Sequence, residues 1–354
     1  MTLKLFDVFS GIGGAETALD RAGVEHDDIV CESYPQILEG YKALHGDVLS
    51  YDDVSDMTSM PSADLLFFDW PTLKIAPLNR KGRDTKASLA WFVIDLLESA
   101  RSEGNLPEYI CAESTPFLLS SRYSRFFNLF IKEIKDLGYE ISYEVLNTSD
   151  YGVPQNRRRW FMVASLHHGE FIFPEPCPDG RILKDVLESE DAVKDLWLSY
   201  EEIAGREMKF RRYHDVLTPE WMPTDATKFS SFITVYSDRR PVGPFLIQPL
   251  PDDPDYDRHI SVTVSDRHNV EDAVRGNLRI RRFSPLEFWR LQGYTDVEFQ
   301  KVKDAGLSDG MLYRVAAASS AVPCWTAIFR AMFIDKTWKK ETTQCVLDFK
   351  GDNE

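Results

Sequence analysis

The residues best suited to chemistry fall at the ends of short apolar runs. Phe9-Ser10-Gly11-Ile12-Gly13-Gly14 follows the run from Leu3 to Val8, Glu32 closes Ile29–Cys31, Asp69-Trp70-Pro71-Thr72 follows Ala63–Phe68, and Glu113 closes Tyr109–Ala112. Glycines at 11, 13 and 14 let the chain turn sharply at positive φ and let a ligand approach the main chain. The helix expected from Ala15 to Ala22 adds unpaired N–H groups that favour an anion, here a carboxylate. The spacing is neither the dinucleotide G-x-G-x-x-G nor the phosphate-cradling G-K-[ST]. Arg157-Arg158-Arg159 forms a basic run. Thr72 offers a hydroxyl far less acidic than a thiol, whose pKa is about 8.5, and no histidine or lysine base stands beside it. Asp69 is positioned either to cap its loop or to orient a substrate. Asp266 and His268 do not amount to a metal site, and the five cysteines (31, 111, 177, 324, 345) lack metal-ligand spacing.

Strands and helices must alternate to place these residues. Helices are expected over 36–45, 86–100 and 123–137. The second carries Leu89, Phe92, Val93, Leu96 and Leu97 on one face. Further strands are expected over 139–146 and 160–165. This rhythm predicts an α/β fold with a doubly wound, mostly parallel sheet, whose ligands sit outside the carboxyl ends of the strands. The glycine turn, Glu32, Asp69–Thr72 and Glu113 all fall there.

The character changes near His167. Ten of the 19 prolines lie between Pro174 and Asp257, with many acids and no steady period, as expected of a smaller, irregular second domain. The reading is a first domain over 1–166, a second over 167–282, a return segment over 283–334 that packs on the first, and a charged tail over 335–354. A strand segment begins at Ile260. Arg279–Arg282 is a basic cluster before a helix at 285–292, and 311–333 reads as one long buried helix. Composition bounds the rest: 354 residues, 43% hydrophobic and 28% charged, are those of a globular protein with ample core. No apolar run nears the ~18–20 residues of a membrane span and no signal peptide opens the chain. Scattered cysteines suit a reducing cytoplasmic or nuclear setting. The net charge of −16 requires any nucleic-acid surface to be a local basic patch.

Several ordered stretches together resemble the DNA cytosine-5 methyltransferase family. They are the glycine turn; Asp150-Tyr151-Gly152-Val153-Pro154-Gln155-Asn156-Arg157-Arg158-Arg159; Thr263-Val264-Ser265-Asp266-Arg267-His268-Asn269; Phe283-Ser284-Pro285-Leu286-Glu287 with Leu291-Gln292-Gly293-Tyr294; and Ala321-Val322-Pro323. Their order and spacing agree over roughly residues 3–333. The resemblance implies S-adenosylmethionine (SAM) as cofactor and double-stranded DNA as partner, in settings such as restriction–modification. A cytosine turned out of the duplex is attacked at C6 by a thiolate, and C5 then takes the methyl group. By the same resemblance Glu113 holds the N3 edge of the base, and Arg157 and Arg159 hold the base and its phosphate. Phe9, Gly11, Gly13 and Ser320 line the SAM pocket, Glu32 binds the ribose, and Asp47 binds the adenine amino group.

The family's nucleophile is where the chain departs. Thr72 occupies the position of the cysteine, Lys86-Ala87 replaces an Arg-Gly pair, Ser319-Ser320 replaces Gly-Asn, and Ser33 replaces an aromatic residue. Cys111, two residues before Glu113, is an alternative thiol and Thr72 an alternative nucleophile. The reading is a methyltransferase-like protein that binds SAM and double-stranded DNA, with its own methyl transfer lost or much reduced. It would act as a regulatory or partner subunit beside an active methyltransferase, as inactive members of the family do. Two alternatives stay open: a working enzyme with an unorthodox site, and an interaction protein that uses the fold without SAM or DNA.

Overall fold

The computed structural model describes residues 2–69, 89–177, 181–197, 245–249, 261–263 and 278–339. Its centre is a seven-stranded sheet of β1 (Leu3–Val8), β2 (His26–Cys31), β3 (Leu49–Tyr51), β4 (Leu65–Asp69), β5 (Tyr109–Ser114), β6 (Glu140–Asn147) and β7 (Arg158–Ser165). The strand order is β3-β2-β1-β4-β5-β7-β6. β1 to β5 are mutually parallel, and β7 runs antiparallel to both of its neighbours. The expected mostly parallel sheet is therefore present. The order reverses at β1 and β4, where a doubly wound sheet opens a ligand crevice.

Alternation along the strands divides the core in two. Leu5, Phe67, Cys111, Phe161 and Val163 face one side, under α1 (Gly14–Ala22) and the C-terminal helices. Phe6, Val8, Leu66, Phe68, Ala112 and Trp160 face the other, under α3 (Leu89–Glu103) and α4 (Ser124–Asp136). α2 (Pro35–His45) links β2 to β3. Elsewhere β8 (Phe245–Pro249), β9 (Ser261–Thr263) and β10 (Leu278–Arg282) form a small antiparallel sheet in the order β10-β8-β9.

After β10 the chain returns to the first sheet through α5 (Pro285–Leu291), α6 (Asp296–Asp304), α7 (Asp309–Ala318) and α8 (Val322–Phe329). α5 opens with a capping box between Ser284 and Glu287, and α6 with one between Thr295 and Glu298. The single long helix expected over 311–333 is instead α7 and α8, bent by about 40° at Ser319–Ala321. Pro323 explains the break: without an N–H it suits the first turn of a new helix and cannot continue an old one. Trp325 on α8 packs edge-on to Phe67 of β4 at 4.8 Å and Phe161 of β7 at 5.3 Å, which fastens this segment to the sheet. No single helix among the described residues is long and apolar enough to cross a membrane.

Candidate functional site

The glycine turn sits at the carboxyl end of β1. Phe9, Gly11 and Gly13 all have positive φ, at 70°, 59° and 81°. Gly11 N–H donates to Glu32 Oε2 at 3.1 Å, and Tyr34 N–H donates to Glu32 Oε1 at 2.8 Å, so the carboxylate after β2 is tied to the turn. Burial raises the pKa of Glu32, while those two N–H groups and Arg314 oppose the rise. A Cβ on Gly11 would meet no heavy atom within 4 Å, whereas one on Gly13 would lie 2.3 Å from His45 Nε2. The turn is thus backed by α2 and open at Gly11. Gly14 approaches the α7–α8 break: its Cβ would stand 3.0 Å from Ser319 Oγ and 3.1 Å from Ser320 Cβ. The structure therefore brings Phe9, Gly11, Gly13, Glu32 and Ser320 together. Among the described residues, the buried Ser10 hydroxyl takes no hydrogen bond. An open cradle, an orphaned hydroxyl and an anchored carboxylate suit a zwitterion bearing a ribose, and so fit SAM.

Asp47 is not part of this group. β3 runs parallel to β2, with Ile29 opposite Leu49 and Cys31 opposite Tyr51. Asp47 precedes β3 and so lies, exposed, toward the end where the strands begin. Asp52 and Asp53 follow β3 and are level with Glu32, whose N–H donates to Tyr51 O at 3.0 Å. After burial, the charges of Asp53, Glu32, Asp7 and Asp52 push the Cys31 thiol up to about 12. Asp53 caps the turn that follows by accepting from Ser55 N–H at 2.9 Å. A ligand-facing acid in a parallel sheet follows its strand, a cue that Gly46-Asp47 obscured.

Beneath the turn lies a buried polar chain that sequence reasoning missed. Tyr41 OH donates to Glu16 Oε1 at 3.0 Å, and His26 Nδ1 pairs with Asp28 Oδ1 at 2.6 Å. Burial, followed by the charge of Asp28, raises Glu16 to about 8. Burial and the neighbouring Glu16 push Asp7 well above the usual carboxylate range. Burial alone lowers His26, but its hydrogen bond to Asp28 and the charges of Asp28, Asp20 and Glu16 carry it up to about 9.

On the other side of the crevice, Glu113 is fully buried. Its Oε2 accepts from Ala321 N–H at 2.9 Å and from Trp325 Nε1 at 2.8 Å. Its Oε1 takes no hydrogen bond from the described residues, and Arg159 Nε stands 3.3 Å away. Asp69 is the register partner of Glu113. Burial and the Glu113 charge push its carboxyl well above the usual range, against Arg159 and Arg157. Arg157 is also fully buried and donates to Ala317 O at 3.1 Å and Ser319 O at 3.0 Å. Burial, reinforced by Arg159, draws its pKa down to about 9. Glu113 and Arg159 are thus placed together at the strand ends, while Arg157 holds the α7–α8 break.

Thr72, Trp70 and Lys86-Ala87 lie outside the described residues. Cys111 is no substitute nucleophile: it is fully buried on the core side, Sγ 3.7 Å from Met332 Sδ, and burial pushes its thiol well up. Cys324 is likewise buried and raised, first by burial and then by Glu113. In the basic cluster Arg281 is 1% exposed and paired bidentately with Glu287, at 2.7 Å through each nitrogen, which makes it a structural anchor. Arg282 is exposed. Among the described residues no group of three or more His, Cys, Asp or Glu is arranged to hold a metal ion.

Comparison with known proteins fits this geometry. The profile of the C-5 cytosine-specific DNA methylases matches residues 3–334. The type II methyltransferase M2.ScrFI of Lactococcus lactis subsp. cremoris is 21% identical over 395 residues, covering 94% of this chain and 99% of that protein. M.NlaX of Neisseria lactamica, also a type II methyltransferase, is 28% identical over 212 residues, covering 56% of this chain and 65% of the relative, just under two thirds of its length. Among solved structures, the Entamoeba histolytica methyltransferase EhMeth superposes with a TM-score of 0.71 at 18% identity, covering 95% of this chain and 99% of the other. That likeness shows the methyltransferase fold.

Proposed function

The chain belongs to the C-5 cytosine-specific DNA methylase family, and from that premise we propose that it binds SAM and double-stranded DNA and holds an extruded cytosine without attacking it, acting beside a competent methyltransferase. The observation that carries this reading is the state of Glu113. One oxygen is fixed by Ala321 and Trp325, and the other lies beside Arg159 with no hydrogen bond from the described residues. A carboxylate oxygen next to a guanidinium offers an acceptor and a donor side by side, which suits the amino group and N3 of cytosine. Extruding a base costs a few kcal/mol, and such contacts offset it.

SAM, when bound, supplies a methyl group carried on a sulfonium. The chain's own residues would position it. Gly11 leaves room at the turn, Glu32 accepts from the ribose hydroxyls, Phe9 covers one adenine face, and Ser320 closes the pocket from the α7–α8 break. Asp52 or Asp53, level with Glu32, is the better placed acid for the adenine amino group than Asp47. The family's nucleophile is what this sequence replaces, and of the described cysteines only Cys177 is exposed. Thr72 stands where the family has its cysteine, and Cys31, Cys111 and Cys324 are buried and pushed toward the protonated thiol. Tritium transfer from labelled SAM to mixed-sequence DNA tests the reading: none from the chain alone, and an enhancement of a partner methyltransferase when the chain is added. Robust transfer by the chain alone would overturn it.

A further inference from the structure

We infer that Trp325 is a positioning residue for Glu113, and that its indole N–H keeps the second carboxylate oxygen available to a base. The inference rests on the proposed role of Glu113. Trp325 Nε1 donates to Oε2 at 2.8 Å, and Ala321 N–H donates to the same oxygen at 2.9 Å. Both donors come from the start of α8, one turn apart. The indole N–H only donates, so its bond to Oε2 has a fixed sense. Fully buried, it needs that partner.

The ring itself is clamped. Phe67 meets it at 4.8 Å and 75°, Phe161 at 5.3 Å and 68°, and Phe329 at 5.2 Å and 31°. A rigid donor on Oε2 sets the carboxylate plane. Glu113 has an obvious competing arrangement, because Arg159 Nε is already 3.3 Å from Oε1. A carboxylate free to rotate would close onto that guanidinium through both oxygens, the geometry that arginine favours. The base edge would then face a satisfied ion pair. The donors on α8 prevent this by engaging Oε2. Oε1 is left with a hydrogen-bonding capacity that no described residue uses. The same helix end packs through Ser320 against Gly14, so the base-side carboxylate is aligned by the element that also closes the cofactor turn.

The test uses 30-base-pair duplexes of mixed sequence carrying one cytosine, or one thymine, opposite an abasic site, with affinity read by fluorescence anisotropy. The full-length chain should prefer the extrahelical cytosine by about tenfold, the size of one hydrogen bond to a charged group. Trp325→Phe keeps the packed ring and removes the donor; it should erase most of that preference while leaving the melting temperature within a few degrees. Glu113→Gln should erase it as well, and Trp325→Phe should add nothing in that background, since the two act as one unit. Preference lost in Glu113→Gln but kept in Trp325→Phe would overturn the inference and leave the reading of the site intact. Preference kept in Glu113→Gln would overturn that reading itself. If Trp325→Phe does not fold, the indole N–H resonance of the native chain decides: it should move on adding the cytosine duplex but not the thymine duplex. Equal responses to the two would refute the inference.

Discussion

Arg157 reaches from the end of the β6–β7 connection to the carbonyl of Ser319, donating from Nη2 at 3.0 Å, while its Nη1 holds Ala317 O. This side chain therefore fixes the break between α7 and α8, from which Ala321 and Trp325 hold Glu113. Arg159, two residues on, meets Glu113 directly.

The first prediction separates these two arginines. Arg157→Met leaves two buried carbonyls without donors and should cost about 3 kcal/mol of stability in urea unfolding. Arg159→Lys keeps a charge beside the buried Glu113, so it should cost about 1 kcal/mol or less and should weaken binding to extrahelical cytosine instead. Equal destabilisation by both would contradict the division of roles.

The glycine turn gives a graded pair. Gly11→Ala meets only the strain of positive φ, about 1–2 kcal/mol, because the space beyond it is open. Gly13→Ala adds a collision with His45 and Tyr41 and should cost about 3 kcal/mol or more. Both variants should lose SAM binding by calorimetry, but only Gly13→Ala should approach global unfolding.

Register makes a third prediction about the adenine side. Asp47→Ala should leave SAM affinity unchanged, whereas the double variant Asp52→Asn, Asp53→Asn should weaken it about tenfold, the loss of one charge-assisted hydrogen bond. An effect at Asp47 alone would mean that the loop before β3 folds back across the sheet edge.

Stability should fall as pH rises. Glu16 is raised from 4.5 to about 8, so the folded chain binds more protons than the unfolded one between those values, and the contribution is lost as pH climbs through about 8. His26 is raised from 6.5 to about 9; its contribution is complete below about 6.5 and lost through about 9. The two signs agree, so the melting temperature should drop by several degrees between pH 6 and pH 9. Glu16→Gln keeps an acceptor for Tyr41 and should flatten the profile below pH 8, leaving the fall that belongs to His26 with Asp28 and Asp20. A melting temperature that rises over this range would contradict the protonated cluster.

Much of the sheet was legible because β1, β4 and β5 are apolar runs closed by a glycine turn or an acid that marks the ligand end, whereas the three-residue β3 is too short to give such a signal. Glu32 and Glu113 follow from that pattern, whereas Arg159 came from the likeness of its basic run to the family's motif. Arg157 was expected to hold the base or its phosphate, and Arg281 to belong to a basic patch, since nothing local shows that the partners of one are carbonyls 160 and 162 residues away and that those of the other are both oxygens of Glu287. The α7–α8 break was hidden by its small apolar flanks, although Pro323 marked it. Trp325 was invisible as a site residue because a tryptophan in an apolar helix is ordinarily core, and its one polar atom finds Glu113 only once the helix is docked.

A covalent trap tests most directly whether the base is held without being attacked. Duplexes of mixed sequence carrying 5-fluorocytosine, incubated with the chain and SAM, would lock any enzyme that adds a nucleophile to C6, because fluorine at C5 blocks the elimination that releases it. Denaturing electrophoresis should show no adduct for the native chain, while anisotropy under the same conditions shows binding that depends on Glu113. A band that survives denaturation, and vanishes in Thr72→Val, would show that the hydroxyl at the cysteine position is a working nucleophile and would contradict a base that is held but not attacked.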